Sequence, residues 1–410
     1  MIESPSTALD PLSDAFIKAP YPLLSKLREE SPVVFCPAID MWLVTRFADV
    51  EFVFSNPQLF SASIAQMPLM PLCDEAREIL ATRFHLQPVM SNLDPPAHGR
   101  IRKRLAQAFS ARRMKMMEPI IEARCEALID VFPPGPSVDL VERLCYPLPA
   151  QTIFTLIGFP EEDTDQIKQW CADKLIVNWG RPSAAAQIRA AETMAAFWEY
   201  CVDFVQNTTH TSADNLTSAL LEDTGRDEPL SHREVASIVF GLSFAGHETT
   251  SNLAANAIHC ALQNKLWANL GKDAELISGV VEETLRYASS VVAWRRISTQ
   301  DTRIGNVAIP RDAKLYLSLA AANHDPRYFK QAEVFDPARK NAADHTSFGK
   351  GIHFCLGATL ARIEVAIVIK QLVTRFPNMC LAEVEAIDYS PNIAFRGPMQ
   401  LAVELDPAAT

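Results

Sequence analysis

The chain has 410 residues, 48% hydrophobic and 21% charged, with 38 basic against 49 acidic side chains and a net charge of −11. That composition excludes a disordered or collagen-like protein, and the acidic balance argues against partners such as nucleic acid or an anionic membrane. No apolar run approaches the roughly 18 residues of a membrane span, and the start MIESPSTALDPLSD has no basic-then-apolar leader. Nine cysteines without a Cys-x-x-Cys pair fit a reducing, cytoplasmic setting rather than a disulfide framework.

Residues 1–15 read as a loose lead-in. Val33-Val34-Phe35 and Trp42-Leu43-Val44-Thr45 read as a β-hairpin, and a second β-rich region spans 302–319. Apolar spacing of 3.6 residues predicts helices over 98–130, 138–157, 161–178, 184–206, 231–264, 273–288 and 358–376. Pro133-Pro134-Gly135-Pro136 and 225–229 punctuate these as loops. The expectation is a mainly α fold with a small β subdomain, one domain over 1–410. The absence of βαβ alternation, of Gly-x-Gly-x-x-Gly and of a Walker loop removes the usual dinucleotide and NTP sites. Redox chemistry would then need electrons from another protein.

Only 14 glycines occur in 410 residues, yet Gly349, Gly351 and Gly357 cluster around Cys355, just before the 358–376 helix. Glycines there permit a tight turn and close approach of the backbone to something flat. A cysteine at a helix N-terminus has its thiolate stabilised by the dipole. An axial thiolate is what a haem iron needs for O–O cleavage. An isolated cysteine is as readily a buried structural thiol, so the surrounding pattern decides.

Phe348-Gly349-x-Gly351-x-His353-x-Cys355-x-Gly357 resembles the haem-ligand loop of cytochrome P450 enzymes at every position. The resemblance implies a triangular, mostly helical fold with haem b between an oxygen-activating helix and the helix after Cys355, which would be the iron's axial ligand. Ala245-Gly246-His247-Glu248-Thr249 resembles the oxygen-activating motif, on a helix that the Ser231-x-x-Glu234 capping box starts. Thr249 would then hydrogen-bond the dioxygen and Glu248 relay protons, provided the helix opens locally to water. Gly241, Ala245 and Thr249, at i, i+4 and i+8, would form a groove of small residues beside the haem.

Glu283-x-x-Arg286 with Arg339 resembles the family's structural trio. His98, Arg102, Arg296 and His353 match its partners for the haem propionates, with Arg295 the rival to Arg296. Asn178-Trp179-Gly180-Arg181-Pro182 and Asn323-His324-Asp325 look like the branch that includes self-sufficient bacterial members and thiocarbamate-oxidising enzymes. Those self-sufficient members carry fused flavin and iron–sulfur domains. This sequence stops at Thr410 without them, which implies a stand-alone enzyme or an excised haem domain.

Residues 100–115 hold seven basic and no acidic side chains, a surface for an acidic ferredoxin or flavodoxin or simply a solvated face. Apolar Met67, Met70, Val291, Val292 and Phe395, with Ala245, are the expected substrate lining. No charged side chain is placed there to anchor a carboxylate, although Arg77 and Arg83 lie near. The function implied is a monooxygenase acting on a small hydrophobic compound, an aromatic ether or other xenobiotic, with electrons from NAD(P)H through a separate reductase. Biosynthetic tailoring, a peroxide-driven peroxygenase and a non-enzymatic haem protein are the alternatives.

Overall fold

A computed structural model describes residues 9–135, 137–171, 174–208, 215–222, 228–382 and 387–405. In chain order the first elements are α1 (Asp14–Lys18), α2 (Pro20–Glu30), β1 (Val33–Cys36), β2 (Met41–Val44), α3 (Phe47–Ser55), β3 (Phe60–Ser61) and α4 (Asp74–Arg83). Next come α5 (Ala97–Ala108), α6 (Ala111–Asp130), β4 (Ser137–Asp139), α7 (Pro147–Ile157), α8 (Thr164–Cys171), α9 (Lys174–Trp179), α10 (Ala184–Asn207) and α11 (Leu216–Leu221). Then follow α12 (His232–Ala245), α13 (Glu248–Gln263), α14 (Trp267–Leu270), α15 (Ala274–Tyr287), β5 (Ala293–Ser298), β6 (Thr302–Ile304), β7 (Val307–Ile309) and β8 (Lys314–Ser318). The last are α16 (Leu319–Asn323), α17 (Ala358–Arg375), β9 (Cys380–Leu381) and β10 (Ala402–Glu404). Among the described residues no helix is long and apolar enough to cross a membrane.

The chain divides into two compact units. The first comprises 1–60, 118–149 and 248–410, and the second 61–117 and 150–247. In the first unit, β1 and β2 form the expected hairpin, Val33 opposite Val44 and Cys36 opposite Met41. β8 runs parallel to β2 and antiparallel to β5. One face of this sheet buries Val44, Leu315 and Leu317 with Phe47, Val50 and Phe54 of α3 and Phe329. A smaller sheet has the order β4-β10-β9.

Five predicted elements come out differently, among them the 138–157 helix, whose first residues form β4 and whose α-helix starts only at Pro147. The loose 1–15 segment ends inside α1, which Ser13 caps by accepting from the Phe16 N–H at 3.3 Å; residues 1–8 lie outside the described range. The 98–130 and 161–178 helices are each broken, at 109–110 and before Lys174; residues 172–173, like Pro136 and 225–227 of the predicted loops, lie outside the described range. The long 231–264 helix starts as expected, with Ser231 and Glu234 satisfying each other's backbone N–H at 3.2 and 2.9 Å. It is interrupted at Gly246-His247, where α12 ends and α13 begins. A side chain at Gly246 would collide with Ile153, its Cβ 2.6 Å from Cγ1, so only glycine lets this turn pack.

Candidate active site

The segment that carries Cys355 is held at its base by α16. Thr346 donates its N–H and hydroxyl to Asn323 Oδ1 at 2.8 and 2.9 Å, and Asn323 Nδ2 donates to Ser347 Oγ at 2.9 Å. The chain then doubles back through Gly349 (φ +67°) and Gly351 (φ +66°), a region of backbone space that side chains disfavour. A Cβ on Gly351 would also stand 2.8 Å from the Phe54 carbonyl oxygen. Cys355 donates its N–H to the Phe348 carbonyl at 2.9 Å, closing the loop. The thiol is half-buried, and Gly357, the cap of α17, leaves room beside Sγ that a Cβ would narrow to 3.8 Å.

Burial pushes Cys125 and Cys260 up to about 12, so they remain inert thiols. Among the described residues no three His, Cys, Asp or Glu side chains gather as a metal cluster. The turn through Gly349 and Gly351 and the space beside Sγ at Gly357 fit haem, with Cys355 the residue that would hold its iron.

Beneath the loop, α15 supplies two carboxylates. Glu283 and Arg286 are fully buried and paired through both oxygens, at 2.9 and 2.6 Å. Arg339 Nε reaches the same carboxylate at 3.1 and 3.2 Å, which is the expected trio. The two guanidinium groups also donate to the carbonyls of Asn323, Lys330, Gln331, Ala332 and Val334.

The neighbouring Glu282 accepts a fork from Arg362 of α17 at 2.7 and 2.6 Å, with His345 Nε2 at 3.2 Å. Burial alone would raise this carboxyl, but the Arg362 and His345 contacts outweigh it and hold it down to about 2. A depressed carboxyl contributes stability above its unfolded value of roughly 4.3 and loses it as pH falls towards 2, on the order of 3 kcal/mol in all. Urea unfolding should therefore separate the wild type from Glu282→Gln at pH 7, and the gap should close between pH 4.3 and 2.

Four residues were expected to bind the propionates. Arg296 lies on β5 opposite Leu315, nearly fully buried, its guanidinium 5.2 Å from the Phe54 ring. Arg295 lies opposite Tyr316 on the other face and is also buried, which pulls it down to about 9. His353 is half-buried in a short turn, 351–353, two residues before Cys355. In the second unit, His98 is buried in the first turn of α5, and Arg102 follows one turn later, its Nη1 3.7 Å from Met90 Sδ.

In the same unit, Gly241 and Ala245 of α12 are accessible while Phe240, Ser243 and Phe244 are buried, so the small residues open one helix face. The regular i+8 step to Thr249 does not continue, because the helix is interrupted. Glu248 and Thr249, in the first unit, are half-buried at the start of α13. Desolvation raises the Glu248 carboxyl, against a 3.3 Å bond from Asn252, which suits a group that passes protons.

Val291 pairs with Phe395 in an isolated bridge, and Val292 donates to the Ala394 carbonyl at 2.7 Å, so three of the expected lining residues do come together. In the second unit, Met70 is half-buried and Met67 is 54% exposed. Their loop is tied to α9 by the Leu69 N–H to the Val177 carbonyl, 3.3 Å. Arg77 and Arg83 turn outward into surface pairs with Asp74 and Glu199. Of the basic residues in 100–115, Arg104 is buried and Arg100 is paired with Glu234, so the exposed charge is smaller than the count suggests.

The described features agree with the comparisons. Residues 271–395 match the family model for Cytochrome P450. The vitamin D(3) 25-hydroxylase of Pseudonocardia autotrophica is 34% identical over 97% of this chain and 96% of its own. The solved cytochrome P450 CREJ in complex with (4-ethylphenyl) dihydrogen phosphate superposes with a TM-score of 0.93 at 33% identity, covering 98% of this chain and 100% of that one. An intact type IV self-sufficient cytochrome P450 monooxygenase gives a TM-score of 0.94 at 33% identity over 99% of this chain and 54% of its own length. A thiolate loop of this geometry on a chain so similar throughout leads to one conclusion: the protein is a member of the cytochrome P450 family, a haem-thiolate oxidoreductase.

Proposed function

We propose that the chain is a cytoplasmic monooxygenase of small hydrophobic compounds, one haem domain over 1–410, fed by NAD(P)H through a separate reductase and ferredoxin. The overall reaction takes substrate, dioxygen, two electrons and two protons to hydroxylated or dealkylated product and water. Cleavage of dioxygen is the chemistry supplied by the haem. Cys355 would hold it within the loop of Phe348, Gly349 and Gly357, and His98, Arg102, Arg296 and His353 would bind its propionates. The observation that carries the reading is the half-buried Cys355, set between positive-φ glycines and the N-terminus of α17.

The other residues bind, orient and move protons. Glu248, its carboxyl raised by burial, takes a proton and delivers it towards Thr249, whose hydroxyl donates to the dioxygen. Ala245, Met67, Met70, Val291, Val292 and Phe395 would hold the substrate by shape. The exposed Lys103, Arg112 and Lys115 leave a basic face suited to an acidic electron donor.

An aryl substrate is supported by the aryl phosphate bound to the solved relative. The hydroxylase among the relatives favours a second reading, a larger apolar natural product. Titration of the haem absorbance with aromatic ethers, thiocarbamates, triazines and terpenes separates them by which class shifts the spin state. No shift, together with no substrate-dependent NAD(P)H use in a reconstituted system, overturns the monooxygenase reading.

Thr249→Ala should keep NAD(P)H consumption while product per NAD(P)H falls about tenfold, the balance appearing as peroxide. Unchanged coupling would remove Thr249 from the proton path.

A further inference from the structure

Lys174 is only 7% exposed, yet it is a lysine in the first turn of α9. Its ammonium stands 4.1 Å from the centroid of Phe244 and 5.0 Å from that of Phe240, both on α12. Phe197 of α10 closes the box, 5.2 and 5.7 Å from those two rings. No hydrogen bond or ion pair reaches Lys174 from the described residues, and Cys171 is the one titratable neighbour that acts on it. Burial pulls its pKa down from 10.5 to about 8.

A buried ammonium is retained at a cost that ring faces offset only in part. The placement says what could complete the offset. Phe244 immediately precedes Ala245 in α12, although its ring is buried while Gly241 and Ala245 are accessible. Val177, one turn along α9 from Lys174, holds the loop of Met67 and Met70 through Leu69. The charge therefore lies in the unit that carries Ala245, Met67 and Met70, while Arg77 and Arg83 are committed to surface pairs.

We propose that Lys174 is a specificity residue that anchors a carboxylate, so the enzyme takes hydrophobic monocarboxylic acids in preference to their neutral analogues. The proposal rests on the monooxygenase reading above. One ammonium neutralises one carboxylate, whereas a phosphate dianion would leave net charge among the rings. A carboxylate also accepts from the ammonium directly, replacing the lost water.

The test is a spin-state titration of the haem-loaded enzyme and of Lys174→Met and Lys174→Arg. The probes are 4-ethylbenzoate, 4-butylbenzoate and decanoate, each paired with its methyl ester. Wild type should bind at least one acid more tightly than its ester. Lys174→Met should weaken that acid by about 30-fold or more and leave the ester unchanged. Lys174→Arg should restore part of the preference, which a purely packing role would not do.

The inference is overturned if no acid outcompetes its ester on the wild type, or if Lys174→Met binds the acid as tightly as wild type does. Ester shifts and ester oxidation that persist in those cases leave the monooxygenase reading standing. Loss of all substrate-dependent turnover in the wild type would instead strike at that reading.

Discussion

Cys355→His should give a protein that folds and takes up haem yet has lost the thiolate signature of its carbon monoxide complex and its monooxygenase activity. Haem retention is expected because the residues that shape the loop are elsewhere: Gly349 and Gly351 set the turn, and the Cys355 N–H to Phe348 carbonyl bond is a backbone bond that any residue but proline can make. Activity is lost because a thiolate donates electron density across the iron in a way neutral imidazole does not. Removing even an outer partner of a metal ligand costs about 10- to 100-fold, so loss of the ligand's charge should exceed that. The reduced, carbon monoxide-bound absorption spectrum and product formation are the measurements. A variant with a normal thiolate spectrum would mean that another cysteine is the ligand.

The second large effect is expected one layer down. Glu283→Ala should destabilise the protein by about 3–5 kcal/mol and abolish stable haem loading, although Glu283 touches neither haem nor substrate in the proposed site. Its side chain is fully buried between Arg286 and Arg339, so its removal leaves two guanidinium groups facing each other with no counter-charge. Glu283→Gln should do less harm, since an amide oxygen still accepts one hydrogen bond. Chemical unfolding of the haem-loaded protein with its haem content checks both. A Glu283→Ala variant with an unaltered midpoint would show that the backbone carbonyls alone hold the two arginines.

The motifs that repeat a fixed local spacing are legible in the sequence alone. The cysteine loop, the capping box of α12 and the Glu-x-x-Arg pair each depend on neighbours within about ten positions, and each has the form expected. Arg339 was also readable, because the resemblance supplied its place. What escaped depends on which way a side chain turns. Arg77 and Arg83 looked available and are spent at the surface, and Arg104 looked solvent-facing and is buried. Lys174 sits at a position where the 3.6-residue pattern wants an apolar residue, and the pattern tolerates one exception without comment. The interruption at Gly246-His247 was anticipated as a local opening, but nothing in the spacing says that the helix stops and restarts. Similarly, the spacing gives little sign of α2, α3 and α4, which are short and flanked by prolines or cysteine rather than by strong caps.

The arginine-to-carbonyl bonds around the trio have a bearing on how the chain assembles. Arg286 and Arg339 act as a portable backbone for residues 330–334, offering donors where no strand does. The bonds from α15 bridge separations of 37 to 56 positions, so loop-closure entropy is lost before any of them forms. The segment leading into the cysteine loop is therefore expected to gain its bonds only once α15 is formed. A late-forming haem-ligand region is the expected result, and φ-values near zero for loop variants beside high ones in α15 would show it.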